Sequence, residues 1–232
     1  MNDKQSSSSP SLDITTLLAS SIHDIKNSLN ILLADIDGVS DFLDSEDENQ
    51  QHALLNLKAT TRRLNNELTQ LLVLYRLKTN TYNVNPVFMD VSSFMDDIHR
   101  EHKLFTEAEK IQLKLVCDPE LYWNFDPMLV TSAVNNALNN ALRFARKQIT
   151  LLAKKDEDRL CIQIQDDGEG FPEMMLKGKT ESAPNLAQGG TGVGIYFCNE
   201  ITRSHCKDSQ CGELKLENTG IDGGASISLY LP

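Results

Sequence analysis

Two short glycine-rich stretches in the C-terminal half of the chain have the composition of phosphate-binding loops. DDGEG (166–170) and GGTGVG (189–194) hold six of the twelve glycines, and the second opens directly into a helical pattern. Glycine lets backbone N–H groups approach a ligand closely, and a helix N-terminus adds partial positive charge. GGTGVG opens no βαβ unit with an acidic residue about twenty positions later, which excludes a Rossmann site. The alternative is a pair of ordinary glycine-rich loops.

A segment rich in asparagine precedes both loops. VNNALNNALRFA (134–145) has a helical apolar period, yet asparagine is a poor helix former, so four in six positions indicate another role. Asn136 and Asn140 are four residues apart and share a helix face, with Arg143 less than one turn further on. Amide oxygens suit a hard cation such as Mg²⁺, and arginine pairs with phosphate. The helix is therefore a candidate site for Mg²⁺ and phosphate.

A third group of polar residues lies near the N-terminus, in IHDIKNSLN (22–30). His23 falls just off an apolar helical seam and faces solvent, where a partner domain can reach it. Asp24 follows it, and Asn27 lies one turn further along the helix. An imidazole with a carboxylate beside it is a candidate nucleophile with its base. The simpler alternative is an ordinary exposed histidine.

The helix that carries His23 belongs to one of two heptad-like seams. Apolar residues alternate at spacings of 4 and 3 from Leu18 to Leu43, and again from Leu54 to Tyr75, with SEDENQ between them. These patterns predict a helical hairpin. Two hairpins that share a core form a four-helix bundle, so we expect a homodimer. The alternative is that the hairpin packs against the rest of its own chain.

Beyond the hairpin, turn-forming residues and Pro86 predict a linker, followed by alternating helices and strands. The predicted helices are 92–105, 126–145 and 193–203. The predicted strands are 111–117, 148–153, 160–165, 213–217 and 225–231. This order indicates a two-layer α/β sandwich. We expect a disordered tail at 1–11, a hairpin at 12–78, a linker at 79–87 and an α/β domain at 88–232.

Composition excludes several classes of function. The net charge of −11 and the absence of a basic stripe argue against a nucleic-acid partner. No apolar run is long enough to span a membrane and the N-terminus does not resemble a signal peptide, so we expect a cytoplasmic protein. Five cysteines without CxxC spacing indicate neither a disulfide framework nor a zinc site. A weak candidate metal cluster comprises Cys198, His205, Cys206 and Cys211.

Four motifs in order give the chain a specific resemblance to two-component sensor histidine kinases. IHDIKNSLN resembles the H box of a dimerisation and histidine-phosphotransfer hairpin. NALNNALRFA, DDGEGFP and GGTGVGI resemble the N, G1 and G2 boxes of the ATPase domain shared with gyrase. The resemblance runs from about residue 14 to the C-terminus. It implies that ATP and Mg²⁺ bind the α/β domain beneath a mobile lid.

The resemblance also implies a role for each matching residue. His23 would accept phosphate, Asp24 would act as general base, and Asn27 would position water in a phosphatase reaction. Asn140 would bind Mg²⁺ and Asp166 would accept a hydrogen bond from the adenine amino group. The remaining nucleotide-site positions are Asn136, Arg143, Phe144, Gly168, Gly170, Gly190, Thr191, Gly192 and Gly194.

Two departures from the family pattern bear on the hairpin and the lid. Ser28 stands where many relatives have proline, so the helix kink below His23 differs. The lid, 171–188, has no clear phenylalanine box, which leaves its closure over the nucleotide and its contact with the hairpin in question. With no recognisable sensor domain in the sequence, we expect input from a separate partner protein or from the hairpin itself.

Three functions compete at this point. The first is a kinase that phosphorylates His23 from Mg²⁺-ATP and passes the phosphoryl group to an aspartate of a separate response-regulator receiver. The second is a non-enzymatic histidine phosphotransfer adaptor, which the two intact glycine loops oppose. The third is predominantly a response-regulator phosphatase that uses Asn27.

Overall fold

The computed structural model describes residues 25, 27–36, 38, 48–177 and 192–232. The predicted tail, His23, Asp24, Gly190 and Thr191 lie outside these residues. The chain divides into two compact units between Arg76 and Leu77, and each unit is described by itself.

The first unit contains two helices, α1 over residues 27–36 and α2 at Glu48–Lys78, which continues past the division. The Asn65 Nδ2 atom donates to Asn30 Oδ1 across 2.9 Å, so the two helices lie side by side at this point. Ile36 and Leu72 are buried. Among the residues that the structure describes in both units, no helix has the length and apolar character needed to span a bilayer.

A five-stranded mixed sheet forms the centre of the second unit. Its strands are β2 (Gln112–Cys117), β4 (Gln148–Asp156), β5 (Arg159–Asp166), β8 (Glu213–Glu217) and β9 (Ser226–Leu231), in the order β2-β4-β5-β9-β8. β2 pairs parallel with β4, and the other pairs are antiparallel. The positions of β2 and β8 agree closely with the sequence prediction, whereas β4 continues three residues beyond the predicted strand 148–153.

Three long helices form the second layer: α3 (Val91–Ala108), α4 (Pro127–Phe144) and α6 (Gly192–Ser204), with a short helix α5 at Glu173–Lys177. α3 contacts β2 and β4, α4 contacts β5, and α6 contacts β8 and β9. The β5 residues Ile162 and Ile164 are fully buried, while Gln163, on the opposite sheet face, donates to Ser226 and Ser228. These observations confirm the predicted α/β architecture with a mixed sheet.

The N-terminus of α4 is fixed by Asp126. Its Oδ1 atom accepts from the backbone N–H groups of Met128 and Leu129, as an N-cap does. Its Oδ2 atom accepts from the Tyr82 hydroxyl, and the Asp126 N–H donates to His205 Nε2 at the end of α6. This buried cap therefore sets where α4 begins relative to α6.

Two short strand pairs were not predicted from the sequence. β1 (Val87–Asp90) pairs with β3 (Tyr122–Phe125), and Phe88 stacks on Tyr122. β6 (Cys206–Lys207) pairs with β7 (Gln210–Cys211) in a hairpin after α6. Strands of two to four residues are too short to show a periodic pattern, and in β1 and β3 the apolar residues do not alternate.

The expectation that the cysteines form no disulfide is wrong. Cys206 and Cys211 lie directly opposite each other in the β6–β7 hairpin and are joined. Spacing alone could not reveal this, because only the hairpin register brings the two thiols together. The candidate metal cluster therefore loses two ligands, and the Nε2 atom of His205 accepts the Asp126 N–H. No metal-binding cluster of His, Cys, Asp or Glu occurs within the described residues.

Candidate functional site

A cavity of about 480 Å³ opens beside the C-terminal ends of α4 and β5. The residues that surround the cavity come from α4 and the connection after it, from the DDGEG loop and the segment that follows it, and from the position before β9. They are Asn140, Arg143, Phe144, Arg146, Asp166, Glu169, Gly170, Phe171, Pro172, Met175 and Ala225. The structure thus brings together five residues that the sequence predicted: Asn140, Arg143, Phe144, Asp166 and Gly170.

Helix α4 places three polar or aromatic side chains at the cavity through its 3.6-residue period. Ala137 and Ala141 are buried on one side of the helix. Arg143 and Phe144 lie three and four residues after Asn140, so both are its neighbours on one face of the helix. The Arg143 guanidinium lies 5.4 Å from the centre of the Phe144 ring. The cavity consequently has an amide, a cation and an aromatic ring along one wall.

The four asparagines of α4 have different surroundings. Asn135 Oδ1 lies 3.1 Å from His102 Nε2 of α3, so it links two helices and lies away from the cavity. Asn139 is exposed, and Asn140 lines the cavity. Asn136 faces α6, where a Cβ atom on Gly194 would lie 2.5 Å from its Oδ1. Only glycine at position 194 allows the start of α6 to approach Asn136 this closely.

Asp166, the last residue of β5, is the buried carboxylate of the site. Its Oδ1 atom accepts from the backbone N–H of Gly168 at 2.8 Å and of Ala225 at 3.2 Å. Both bonds go to Oδ1, so Oδ2 is the oxygen that can accept a hydrogen bond from a ligand. Burial raises the pKa of Asp166, although the two backbone hydrogen bonds oppose the rise. The site therefore has a fixed acceptor at its buried end.

Gly168 is required by close packing under this carboxylate. A Cβ atom at this position would lie 2.7 Å from the Phe144 carbonyl oxygen and 2.8 Å from Asp166 Oδ1. The DDGEG loop can therefore pass beneath the end of α4 only with glycine here. Of the predicted GGTGVG residues, Gly192 begins α6 and Gly194 contacts Asn136.

Asp167, the residue after Asp166, connects the DDGEG loop to the segment between α4 and β4. Its carboxylate accepts from the backbone N–H groups of Arg146 at 2.7 Å and Lys147 at 3.0 Å, which joins the end of β5 to the α4–β4 connection. Burial alone would raise the pKa of Asp167, but these hydrogen bonds outweigh it and hold the pKa below its ordinary value. Asp167 therefore stabilises the fold as a carboxylate.

We expect Asp167→Ala to lower the free energy of unfolding by about 1 to 3 kcal/mol at pH 7, because it removes charge-assisted hydrogen bonds to two backbone amides. For an acid whose pKa is lowered on folding, this stability is present above the unfolded pKa and is lost as pH falls through the folded pKa. The difference between wild type and variant should therefore shrink below about pH 4. Denaturant unfolding from pH 7 to 3 measures it.

The exposed Asp158, in the turn between β4 and β5, provides the matched control. Asp158→Ala should change stability by less than about 0.5 kcal/mol. An equal loss in both variants, or a loss for Asp167→Ala that did not depend on pH, would contradict the role given to the Asp167 hydrogen bonds.

Several cavity residues were not predicted as site residues from the sequence. Arg146 lies at the rim, where its guanidinium is 3.8 Å from the exposed Glu169 carboxylate. Phe171 and Met175 contribute apolar surface, and Ala225 approaches from the far end of the chain. Phe171 follows DDGEG directly, which is a usable sequence signal. Ala225 has no such signal because it is 59 residues from Asp166.

The predicted catalytic residues belong to the other unit. Asn27 lies on α1 and is exposed, and His23 and Asp24 precede the described helix. Chemically, the cavity itself combines a buried hydrogen-bond acceptor with cationic and amide groups nearer the rim. A ligand with a donor group at one end and anionic groups at the other would match this arrangement.

The chain is similar to known proteins in both sequence and fold. Residues 125–232 match the family of histidine kinase-, DNA gyrase B- and HSP90-like ATPases. The chain is 22% identical over 221 residues to the sensor protein kinase WalK of Staphylococcus aureus strain MRSA252, which covers 90% of this chain and 35% of WalK. Another Staphylococcus aureus WalK is 21% identical and covered to 51%. The chain thus spans about a third to a half of these relatives.

Solved structures show the same fold. The histidine kinase AdeS of Acinetobacter baumannii superposes with a TM-score of 0.59 at 16% identity, covering 90% of this chain and 96% of that one. Full-length ShkA in complex with AMPPNP gives a TM-score of 0.70 at 16% identity, covering 94% of this chain and 46% of ShkA.

Proposed function

We propose that this chain is a two-component sensor histidine kinase, that its cavity binds Mg²⁺-ATP, and that the γ-phosphoryl group is transferred to His23. The observation that carries the nucleotide assignment is the buried Asp166 carboxylate at the end of a cavity also lined by Asn140 and Arg143. The phosphoryl group then passes to an aspartate of a response-regulator receiver.

At the buried end of the cavity, Asp166 Oδ2 accepts a hydrogen bond from the exocyclic amino group of adenine. Guanine presents a carbonyl oxygen at the same ring position, and a carboxylate held as an acceptor repels it. Phe144 supplies an aromatic surface beside the nucleotide. This end therefore selects ATP over GTP.

Nearer the rim, Asn140 offers an amide oxygen to Mg²⁺, and Arg143 pairs with phosphate oxygens. Mg²⁺ supplies charge neutralisation to the phosphate chain when it is bound. Asn136 lies beside Gly194 at the start of α6. Gly190, Thr191, Gly192 and Gly194 are the residues of the G2 motif, and their proposed role is to bind the phosphates. The N-terminus of α6 adds partial positive charge on the same side.

In the transfer step, an imidazole nitrogen of His23 attacks the γ-phosphorus as the bond to the β–γ bridging oxygen breaks. ADP leaves with that oxygen, and the imidazole proton passes to Asp24 as general base. The receiver aspartate then takes the phosphoryl group from the His23 nitrogen. Positioning and charge neutralisation carry most of this reaction, which is why two separate domains can perform it.

The proposed kinase is a homodimer whose subunits associate through the hairpin. Exposed apolar side chains of the first unit support this proposal. Leu57, Leu64 and Leu71 repeat every seven residues along α2, and each is 43–49% exposed in the single chain. Ile25 and Leu32 repeat the same interval on the other helical segment, at 47% and 42%. A heptad row of exposed apolar side chains is typical of a helical interface.

We expect Leu64→Asp to convert the dimer to a monomer at tens of micromolar, because the dimer would bury a charge with no partner in each subunit. Light scattering measures the mass. Asn66→Asp is the control, since Asn66 is exposed and lies off the heptad row. A wild-type monomer at this concentration, or a Leu64→Asp dimer, would refute this interface.

A response-regulator phosphatase is a second candidate function for the same chain. Asn27 is exposed on α1 and follows His23 by four residues in the sequence. That spacing equals about one helical turn. An amide there can orient water toward a phosphorylated receiver. The phosphatase is tested with a phosphorylated receiver, from which an Asn27→Ala chain should release phosphate more slowly than wild type. Incubation with γ-labelled ATP and Mg²⁺ separates the kinase from the phosphotransfer adaptor. A kinase takes up acid-labile label, whereas an adaptor takes up none from ATP.

A further inference from the structure

The loop between β8 and β9, residues 218–225, contacts two residues that line the cavity, Phe171 and Asp166. At its start, Asn218 contacts the backbone of Phe171 through both ends of its amide. The Oδ1 atom accepts from the Phe171 N–H at 2.7 Å, and Nδ2 donates to the Phe171 carbonyl at 3.0 Å. Both backbone groups of one cavity residue are therefore satisfied by one side chain.

Gly170 shows how closely this amide is fitted to the chain above it. Gly170 has a φ of +79°, and a Cβ atom there would lie 2.7 Å from the Asn218 Cγ atom. The chain turns at Gly170 in a conformation that favours glycine and rests directly on the Asn218 amide. The direction in which the chain leaves DDGEG is therefore fixed by residue 218.

The far end of the same loop holds Asp166. The Ala225 N–H donates to Asp166 Oδ1 at 3.2 Å, and the Asp166 N–H donates to the Ala225 carbonyl at 3.0 Å. Gly224 packs so closely that a Cβ atom on it would lie 2.1 Å from the Asp166 carbonyl oxygen. One short loop thus contacts both the acceptor of the cavity and its apolar wall at Phe171.

We infer that Asn218 is a positioning residue for the nucleotide base, which sets the separation between the Phe171 wall and the Asp166 carboxylate. This inference rests on the proposed binding of ATP in the cavity. Asparagine is suited to the position because it carries one donor and one acceptor on the same short side chain. Aspartate keeps the acceptor but places a second acceptor against the Phe171 carbonyl.

The role predicts an effect confined to the base end of the nucleotide. In calorimetric titrations of the full chain, Asn218→Ala and Asn218→Asp should weaken adenosine and ATP by the same factor, about tenfold or more. Binding of inorganic tripolyphosphate, which lacks the base, should stay within twofold of wild type. Asn124→Ala, at an exposed position on β3, should leave all three affinities unchanged.

Each outcome separates this inference from the proposed function. A wild-type chain that binds neither ATP nor adenosine would overturn both. A wild-type chain that binds both, with an Asn218→Ala chain that retains adenosine affinity within twofold, would overturn the positioning role alone. Equal losses for adenosine and tripolyphosphate, or variants that fail to fold, would show a general structural role and would also overturn it.

Discussion

Replacing Asp166 with Asn is expected to weaken ATP binding by about a hundredfold or more while leaving the ligand-free protein as stable as wild type. The amide Oδ1 can still accept from Gly168 and Ala225, so the local hydrogen bonds persist. The other side of the group becomes an NH₂ donor that faces the donor amino group of adenine. An unpaired donor in a recognition site typically costs several powers of ten in discrimination. Calorimetric titration measures the loss.

The pH dependence of stability provides an independent check on the same variant. Burial raises the pKa of Asp166, so the folded state binds this proton more tightly than the unfolded state does. Stability therefore falls as pH rises from the ordinary carboxyl pKa through the raised value, and Asp166→Asn removes that fall. The variant should match or exceed wild type in thermal stability at pH 7. Wild-type ATP affinity in Asp166→Asn would place the nucleotide elsewhere.

Replacing His23 with Ala is expected to abolish acid-labile phosphorylation from γ-labelled ATP, with ATP affinity unchanged within twofold. The imidazole is the proposed nucleophile, whereas the residues proposed to contact ATP all belong to the other unit of the chain. Removing a nucleophile leaves no alternative acceptor in the same geometry. Filter binding of labelled protein and calorimetry measure the two quantities.

His52, on α2, supplies the matched control for this variant. His52→Ala should retain both phosphorylation and ATP affinity. A His23→Ala protein that still accepted acid-labile phosphate would refute the assignment of the acceptor. A loss of label in both variants would indicate that the hairpin had been damaged rather than that a nucleophile had been removed.

The parts of the fold that could be predicted from the sequence are those with long, regular patterns. The predicted strand 213–217 coincides with β8, and the predicted helix 126–145 differs from α4 by one residue at each end. Helix α4 buries a periodic set of apolar residues, and in β8 Leu214 and Leu216 alternate with charged residues, so each segment shows the period of its own structure type. The mixed order of such segments was sufficient to predict the α/β class.

Features that depend on contacts between distant segments could not be predicted in this way. Asn218 reaches Phe171 across 47 residues, and Ala225 reaches Asp166 across 59. The disulfide depends on the register of a hairpin whose strands have two residues each. Local propensity carries no information on such pairings, because the fold as a whole determines them.

The candidate site falls between these two cases. Helical spacing predicted that Asn136 and Asn140 share one helix face, but it could not distinguish their environments. The structure places Asn140 at the cavity, Asn136 against Gly194, and Asn135 against His102 of α3. A motif identifies which residue types act together, while packing decides which member faces the ligand.

The most direct test of the proposed function is to map the phosphorylation site on the wild-type chain. The purified protein is incubated with Mg²⁺ and γ-labelled ATP, digested at neutral to alkaline pH, and its peptides are analysed by mass spectrometry. The account predicts one labelled peptide that contains His23, with label that acid removes and alkali does not. Acid-stable label, label confined to another residue, or no label in protein that binds ATP would contradict it.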